Sequence, residues 1–380
     1  MLIGRRIYSE LHEMFRDTAR RFLRQELETN IDSWEKEGVI PREFWRRGGE
    51  QGLLCPSVPE EYGGAGGDTL FDMVLSEELG YAIGGASVGF ASHTDICSHY
   101  LLNYGTEEQK KNYLPKMVTG ETIAAIGMTE PGAGSDLKAI STTAKKNGDT
   151  YIVNGQKTYI TNGQNADLII LACTMNKSKG AKGISLLLVD ADSPGFSRGR
   201  NLDKIGQKAA DTSELFFDNV EVPVSNLLGE EGKGFAVMME ELPRERMSVA
   251  VRAVAASTRA YELTCEYVKD REIFGQKIWD FQNTKFKLVD VLMQLNVTWA
   301  YVDQCIERLN DGSLTVEEGA IAKVWASEVD SRVVDECLQL FGGYGYMSEY
   351  PIARFYTDSR VRRIFGGTSE TLRSYISRSI

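Results

Sequence analysis

Three histidines in 380 residues leave little scope for a His-rich metal centre or a Ser-His-Asp triad. The six cysteines (Cys55, Cys97, Cys173, Cys265, Cys305 and Cys337) form no CxxC pair, so neither a zinc site nor a disulfide framework is expected. Reduced thiols in a cytoplasm-like compartment suit them, or a mitochondrial matrix if the chain is a processed eukaryotic one. No apolar run is long enough to span a bilayer. No signal peptide is visible, because Met1-Leu2-Ile3-Gly4-Arg5-Arg6 leads straight into an amphipathic pattern. Positive charge is short as well. The 43 Lys and Arg face 54 Asp and Glu, for a formal net charge of -11, which argues against nucleic acid or an anionic membrane as the main partner. Internal repeats and low-complexity segments are missing too. What remains is a globular composition, 42% hydrophobic and 26% charged, in a chain long enough for two or three domains.

The texture of that chain changes twice. Ile7, Leu11, Phe15, Phe22 and Leu27 recur at helical spacing, so residues 5–29 are expected to be an amphipathic helix. A second helix should start near Pro41, with more at 69–82, 87–103 and after Thr106, whose spacing to Gln109 is that of a capping box. Residues 1–120 thus form an expected helical domain. Residues 121–232 look like a β domain. Asn147-Gly148 and Asn154-Gly155 are hairpin signals on either side of a short β-prone run. Leu168–Ala172, Ile184–Val189 and Ser213–Phe217 continue the strand pattern. In 233–380 helices return, at about 234–270, 280–309, 315–341 and after Thr368. The expected fold class is α+β and multidomain, with a helical N-terminal domain, a β-barrel-like centre and a C-terminal helical bundle.

Three stretches are suited to chemistry. The first is Ile126 to Asp136, where an apolar strand runs into Thr-Glu-Pro-Gly-Ala-Gly-Ser-Asp. Glycines allow close backbone approach to a ligand, and Thr129 and Ser135 add hydroxyl donors. A dinucleotide fingerprint needs a third glycine three residues after Gly134, where Leu137 stands, and Ser141 to Ala144 looks like strand, so Rossmann binding is disfavoured. The second is Glu240-Glu241-Leu242-Pro243-Arg244-Glu245-Arg246-Met247. It reads either as a solvated helix face, with Pro243 marking a kink or helix start, or as a carboxylate set among apolar walls, which is the condition for a useful base. The third is Ile364 to Glu370, where Gly366-Gly367 before Thr368-Ser369 has a helix-start pattern with free N–H groups. Upstream, Gln339 to Tyr346 holds a further glycine cluster. Taken singly, each is a weak signal, and an ordinary turn is the alternative.

Taken together, in order, these pieces resemble the acyl-CoA dehydrogenase family over nearly the whole length. The matching segments are Met-Thr-Glu-Pro-Gly-Ala-Gly-Ser-Asp (128–136), Lys-Thr-Tyr-Ile-Thr-Asn-Gly (157–163) and Arg-Glu-Ile-Phe-Gly-Gln (271–276) with Phe281-Gln282. Gln-Leu-Phe-Gly-Gly-Tyr-Gly-Tyr (339–346) and Ile-Phe-Gly-Gly-Thr-Ser-Glu (364–370) complete the set. The resemblance implies bound FAD and a C-terminal four-helix bundle. Ile126, Met128, Thr129, Gly134 and Ser135 would line the flavin, with Thr129 at the pyrimidine ring and Ser135 reaching phosphate and substrate. Tyr159 would lie against the isoalloxazine, Ile160 beside it, and Thr161 at the O4/N5 edge. Thr368 and Glu370 would complete the cofactor contacts. Arg271, Phe274, Gln282, Gln339, Gly342 and Gly343 would serve FAD as well, with Arg271, Gln282 and the 339–343 segment reaching the FAD of a neighbouring subunit. A homotetramer, or at least a dimer, is therefore expected, with an electron-transferring flavoprotein as electron acceptor.

One departure decides the chemistry. Many members of the family carry a catalytic glutamate directly before the Gly-Thr of the last motif, and this chain has Gly366 there. Either dehydrogenation is lost, as in a scaffold, or the base has moved. The long-chain and isovaleryl branches place it in a sequence resembling Leu-Pro-Arg-Glu-Arg, so the resemblance implies Glu245 as α-proton base. Pro243, Arg244, Arg246, Gly366 and Gly367, with Ser135, would bind the acyl-CoA substrate, the Gly366 N–H holding the thioester carbonyl. Glu240 and Glu241, ahead of Pro243, are expected to be dispensable. The expected reaction is conversion of a medium-to-long-chain acyl-CoA to trans-2-enoyl-CoA. A branched-chain substrate, a non-turnover scaffold and an oxygen-using oxidase remain as alternatives.

Overall fold

The computed structural model describes residues 4–84 and 87–380. Met1–Ile3, part of the opening stretch read above for a leader, lie outside them. The N-terminal helices are α1 (Glu10–Phe22), α2 (Ile31–Glu37), α3 (Arg42–Glu50), α4 (Thr69–Tyr81), α5 (Ser87–Ala91), α6 (Ser98–Tyr104) and α7 (Glu107–Val118). The helix expected over 5–29 spans Glu10–Phe22 and continues as a π-helical segment to Glu28. Another π-helical segment, Ser92–Cys97, joins α5 to α6. Asp68 caps α4 through the Leu70 N–H. At α7 the expected capping box is complete, Gln109 N–H donating to Thr106 Oγ1 and Thr106 N–H to Gln109 Oε1.

The middle of the chain is an eight-stranded sheet. Its strands are β1 (Ala124–Gly127), β2 (Thr143–Asn147), β3 (Thr150–Thr161), β4 (Leu168–Thr174), β5 (Ile184–Asp190), β6 (Phe196–Asn201), β7 (Thr212–Pro223) and β8 (Leu227–Leu228). The order is β6-β7-β3-β2-β4-β5-β8, with β1 pairing parallel to β4. Asn147-Gly148 makes the expected hairpin turn. Asn154-Gly155 does not turn. β3 runs on through it, and the pairing with β7 shifts register between Val153 and Gly155. Gly155 fits there because a Cβ would meet Thr142 at 2.5 Å. Every residue of β4 is buried, because alternate side chains enter two cores. Leu168, Ile170 and Ala172 face the N-terminal helices, while Ile169, Leu171 and Cys173 face the core shared with β3 and β7. That double burial is why the strand reads as one apolar run.

Three long helices dominate the rest, α8 (Gly234–Asp270), α9 (Gln282–Asn310) and α10 (Val316–Phe341), followed by the short α11 (Pro351–Ser359) and α12 (Ser369–Ile376). A small hairpin of β9 (Glu272–Ile273) and β10 (Gln276–Lys277) separates α8 from α9. Pro243 neither starts nor ends a helix, since α8 runs through it. Its missing N–H falls within the helix's tenth-residue turn, where Gly319 of α10 packs close, its built Cβ lying 3.3 Å from Pro243. A buried charge network ties the first segment to the bundle: Arg16 and Arg20 pair with Glu78, and Arg5 with Glu77 and Asp303. Among the described residues no helix is long and apolar enough to cross a membrane.

Candidate active site

β1 delivers the glycine-rich loop, and one buried carboxylate shapes it. Glu130 accepts from the Ser141 N–H and hydroxyl, the Thr142 N–H and the Lys157 ammonium, the last at 2.8 Å. Burial disfavours its ionised form, but the Lys157 charge and these donors outweigh burial and bring the carboxyl down to about 2. Lys157 also donates to the Met128 carbonyl, and the Thr158 N–H to the Thr129 carbonyl. Met128 and Thr129 are thereby stitched beside the end of β3. At that end the register slips between Lys157 and Ile160, and Tyr159 takes a left-handed φ of 58°. The bulge keeps Ile160 in the core and turns Tyr159 outward, 69% exposed. Thr161 is half-buried next to it, and Gly134 and Ser135 lie exposed on the loop. No atom lies within 4 Å of a Cβ built at Gly132 or Gly134, so this face is open. An outward aromatic plane, flanking hydroxyls and an open glycine arc fit a flat, phosphate-bearing cofactor such as FAD.

The second element of the site is Glu245. The residue is 9% exposed, and the Tyr100 phenol of α6 donates to Oε1 at 3.0 Å. Burial raises its pKa most. The Tyr100 bond opposes that, Glu241 adds to it, and the result is about 7 instead of 4.5. Glu241 is buried and accepts from Asn103 at 2.7 Å, and Glu240 accepts from Tyr104 at 2.8 Å. Both carboxylates thus take part in the α6–α8 seam. Arg244 is engaged within the chain by Asp72, Asp95 and Thr69. Arg246 is different. It is buried, yet its Nε and Nη1 have no hydrogen-bond partner, and burial lowers its pKa. A buried guanidinium with idle donors is costly unless a ligand supplies the acceptor.

Gly366 and Gly367 complete this neighbourhood, with φ of 63° and 92°. A Cβ on Gly366 would lie 3.7 Å from Val249, one helical turn beyond Glu245, and 4.0 Å from Lys323. Lys323, fully buried on α10, donates to the Gly367 carbonyl at 2.6 Å and so fixes the turn. Burial, helped by the positive charge of Arg246, lowers its pKa to about 8. Thr368 caps α12 by accepting from the Thr371 N–H, and the Ser369 hydroxyl is buried without a partner. Glu370 is exposed.

The remaining candidates gather elsewhere. A cavity of about 650 Å³ is lined by Arg271, Phe281, Asn283, Gln339, Gly342 and Gly343 among others, with nothing from 126–161 or the Glu245 site. Gln282 lies exposed beside it at the start of α9. Phe274, at the tip of the β9–β10 hairpin, has φ 51° and is 94% exposed. On α9, Phe286, Val289, Met293 and Val297 form an exposed apolar stripe, with Trp325 exposed on α10. The sequence reading missed Tyr100, Glu130, Lys157 and Lys323. Tyr100 acts across 145 positions and leaves no local signal. Lys323 does leave one: it sits on a helix face whose positions three and four residues away, Gly319, Ala320, Ala326 and Ser327, are all small and buried.

Residues 9–121, 125–220 and 232–380 match, respectively, the N-terminal, middle and C-terminal domains of acyl-CoA dehydrogenase. The mitochondrial long-chain specific acyl-CoA dehydrogenase of Sus scrofa is 46% identical over 99% of this chain and 88% of its own. A crystal structure of acyl-CoA dehydrogenase from Geobacillus kaustophilus superposes with a TM-score of 0.97 at 49% identity, covering 99% of each chain. That of a Bacillus anthracis acyl-CoA dehydrogenase complexed with FAD gives 0.91 at 32% identity, over all of this chain and 69% of the other.

Proposed function

Since the chain belongs to the acyl-CoA dehydrogenase family, we propose that it converts medium-to-long-chain saturated acyl-CoA to trans-2-enoyl-CoA with Glu245 as the base. The observation that carries this reading is a buried carboxylate whose pKa is raised to about 7, one helical turn from Val249 at the Gly366 turn and next in sequence to a buried arginine with idle donors. A thioester α-proton is weakly acidic, so its removal needs a desolvated base and a donor for the enolate oxygen that forms. Glu245 takes the α-proton. The Gly366 N–H holds the thioester carbonyl, and Arg246 supplies idle donors nearby. Position 366 needs only its N–H for that role, so the missing side chain does not remove it. FAD, held by Thr129, Ser135, Tyr159 and Thr161, supplies the acceptor for the β-hydride when bound. The α-proton leaves to Glu245 and the β-hydrogen leaves with its electron pair, which balances formation of the double bond.

Arg271, Gln282 and the 339–343 segment are assigned to the FAD of a neighbouring subunit, which accounts for a cavity remote in composition from the loop and from Glu245. The apolar stripe on α9 supports assembly into a homotetramer, or at least a dimer. An electron-transferring flavoprotein is the assigned electron acceptor. The test is anaerobic mixing of the FAD-loaded protein with acyl-CoA esters from butyryl to stearoyl. Flavin bleaching with enoyl-CoA formation, fastest for medium or long chains, is expected. A scaffold would not bleach, and an oxidase would recolour at once in air.

A further inference from the structure

Three side-chain hydrogen bonds join α6 to α8: Tyr100 to Glu245, Asn103 to Glu241 and Tyr104 to Glu240, at 3.0, 2.7 and 2.8 Å. Tyr100 is fully buried, so its phenol has no water to bond, and the Glu245 carboxylate is the acceptor it has been given. Burial, and then the Glu245 charge, push that phenol well above its ordinary value of 10, so it stays a donor throughout the working range. Donation to a carboxylate favours its ionised form and fixes which oxygen is engaged. Oε1 is held toward α6, which leaves Oε2 as the atom free to receive a proton.

We propose that Tyr100 is a positioning residue for the base: its phenol anchors Glu245 Oε1, aims Oε2 at the substrate and favours the ionised carboxylate, while Glu241 on the same seam opposes that ionisation. The inference rests on the assignment of Glu245 as base. The groups facing Glu245 are Tyr100 from α6, Asp95 and Cys97 from the π-helical segment, and Glu241 and Arg246 from α8. Glu241 and Asp95 are carboxylates that disfavour a further negative charge, and Arg246 favours it. Tyr100 is thus the uncharged group in the set that stabilises the anion by direct contact, and the contact is directional where the charges are not. The seam therefore sets the base's working range by opposed contributions from two residues a single turn of α8 reaches.

Opposed contributions make a test with opposite signs. In the assembled, FAD-loaded enzyme, flavin reduction by lauroyl-CoA would be followed against pH without oxygen. Independently of turnover, infrared difference titration would follow the carboxyl band that disappears in Glu245→Gln. Tyr100→Phe is expected to move the Glu245 midpoint up by about one pH unit, and Glu241→Gln to move it down by about as much. Well above the midpoint, Tyr100→Phe should keep reduction within about tenfold of the parent, the residual loss being that of aim. Fluorotyrosine at position 100, a stronger donor of nearly the same shape, should move the midpoint down and serves if Tyr100→Phe does not fold. Midpoints that stay put in these variants, or a uniform loss of rate at every pH, would overturn the proposal. Parent-rate reduction in Glu245→Gln would instead sink the base assignment, and the infrared midpoint would still report on the Tyr100 contact.

Discussion

The Glu245 neighbourhood and the Arg271–Gly343 cavity are finished to different degrees by the single chain. Around Glu245 the polar groups are mostly answered from within: buried Tyr100 and Lys323 and exposed Asn103 each have a named acceptor. Around the cavity, Phe274 stands 94% exposed at a left-handed φ and Gln282 meets solvent. The first region can tune chemistry because low dielectric and fixed partners control a carboxylate. The second is shaped like an interface, with a large open cavity and an apolar stripe close by on the same helix. On the proposed assignment, cofactor retention should depend on copies of the chain, and proton transfer should not.

The largest expected effect falls inside. Glu245→Gln keeps shape and removes basicity, so flavin reduction by acyl-CoA should slow by about 10² to 10⁴, with acyl-CoA binding retained in equilibrium titration. The same variant should show a stability effect of opposite sense. The folded-state pKa of about 7 lies above the ordinary 4.5, so the folded protein holds this proton more tightly than the unfolded chain. Stability is therefore greatest below the unfolded value and is lost as pH rises toward 7. Relative to the parent, Glu245→Gln should gain on the order of 3 kcal/mol between pH 4 and pH 8, read by denaturant titration. A gain that does not grow with pH would show that the carboxylate is better solvated than its burial implies.

The rim should respond to assembly. Met293→Glu with Val297→Glu places charge on the apolar stripe without touching the Glu245 site. Light scattering should show smaller species, and FAD should be lost about ten- to hundredfold more readily on dilution if bonds to the neighbour's cofactor are broken. A monomer that keeps stoichiometric FAD would end the division between the two regions. The smallest effect concerns Thr161→Val, which removes one donor at constant shape. A shifted flavin spectrum and a reduction rate lowered by about three- to tenfold are expected; an unchanged spectrum and rate would make Thr161 a packing residue.

Periodicity carried much of this molecule. The apolar spacing after Gly234 marks α8 over the same residues that the structure makes helical, and Thr106 with Gln109 marks the start of α7. Such signals are local, since a helix turn or a capping box is satisfied within a few residues. Where two local rules competed, the sheet decided. Asn154-Gly155 has the composition of a turn, but β7 pairs along both sides of it, and the extra residue is absorbed as a bulge. Pro243 has the composition of a break, yet α8 passes through it because the helix is packed along its length against α4 and α10.

The site divides along the same line. Sequence by itself determined the residue types: a glycine arc after a buried strand, a Gly-Gly turn before a helix, and a glutamate at 245 where 366 has none. These are properties of neighbours in the chain, and a resemblance in motif order was enough to join them. Tertiary structure alone decided what those groups can do. The raised pKa of Glu245 comes from burial, with Tyr100 opposing the rise and Glu241 adding to it; the Gly367 carbonyl is fixed by Lys323, 44 positions away; and Tyr159 faces outward because a slipped register turns it there. Desolvation and hydrogen-bond geometry depend on what surrounds an atom in space, and no local pattern of residues specifies that.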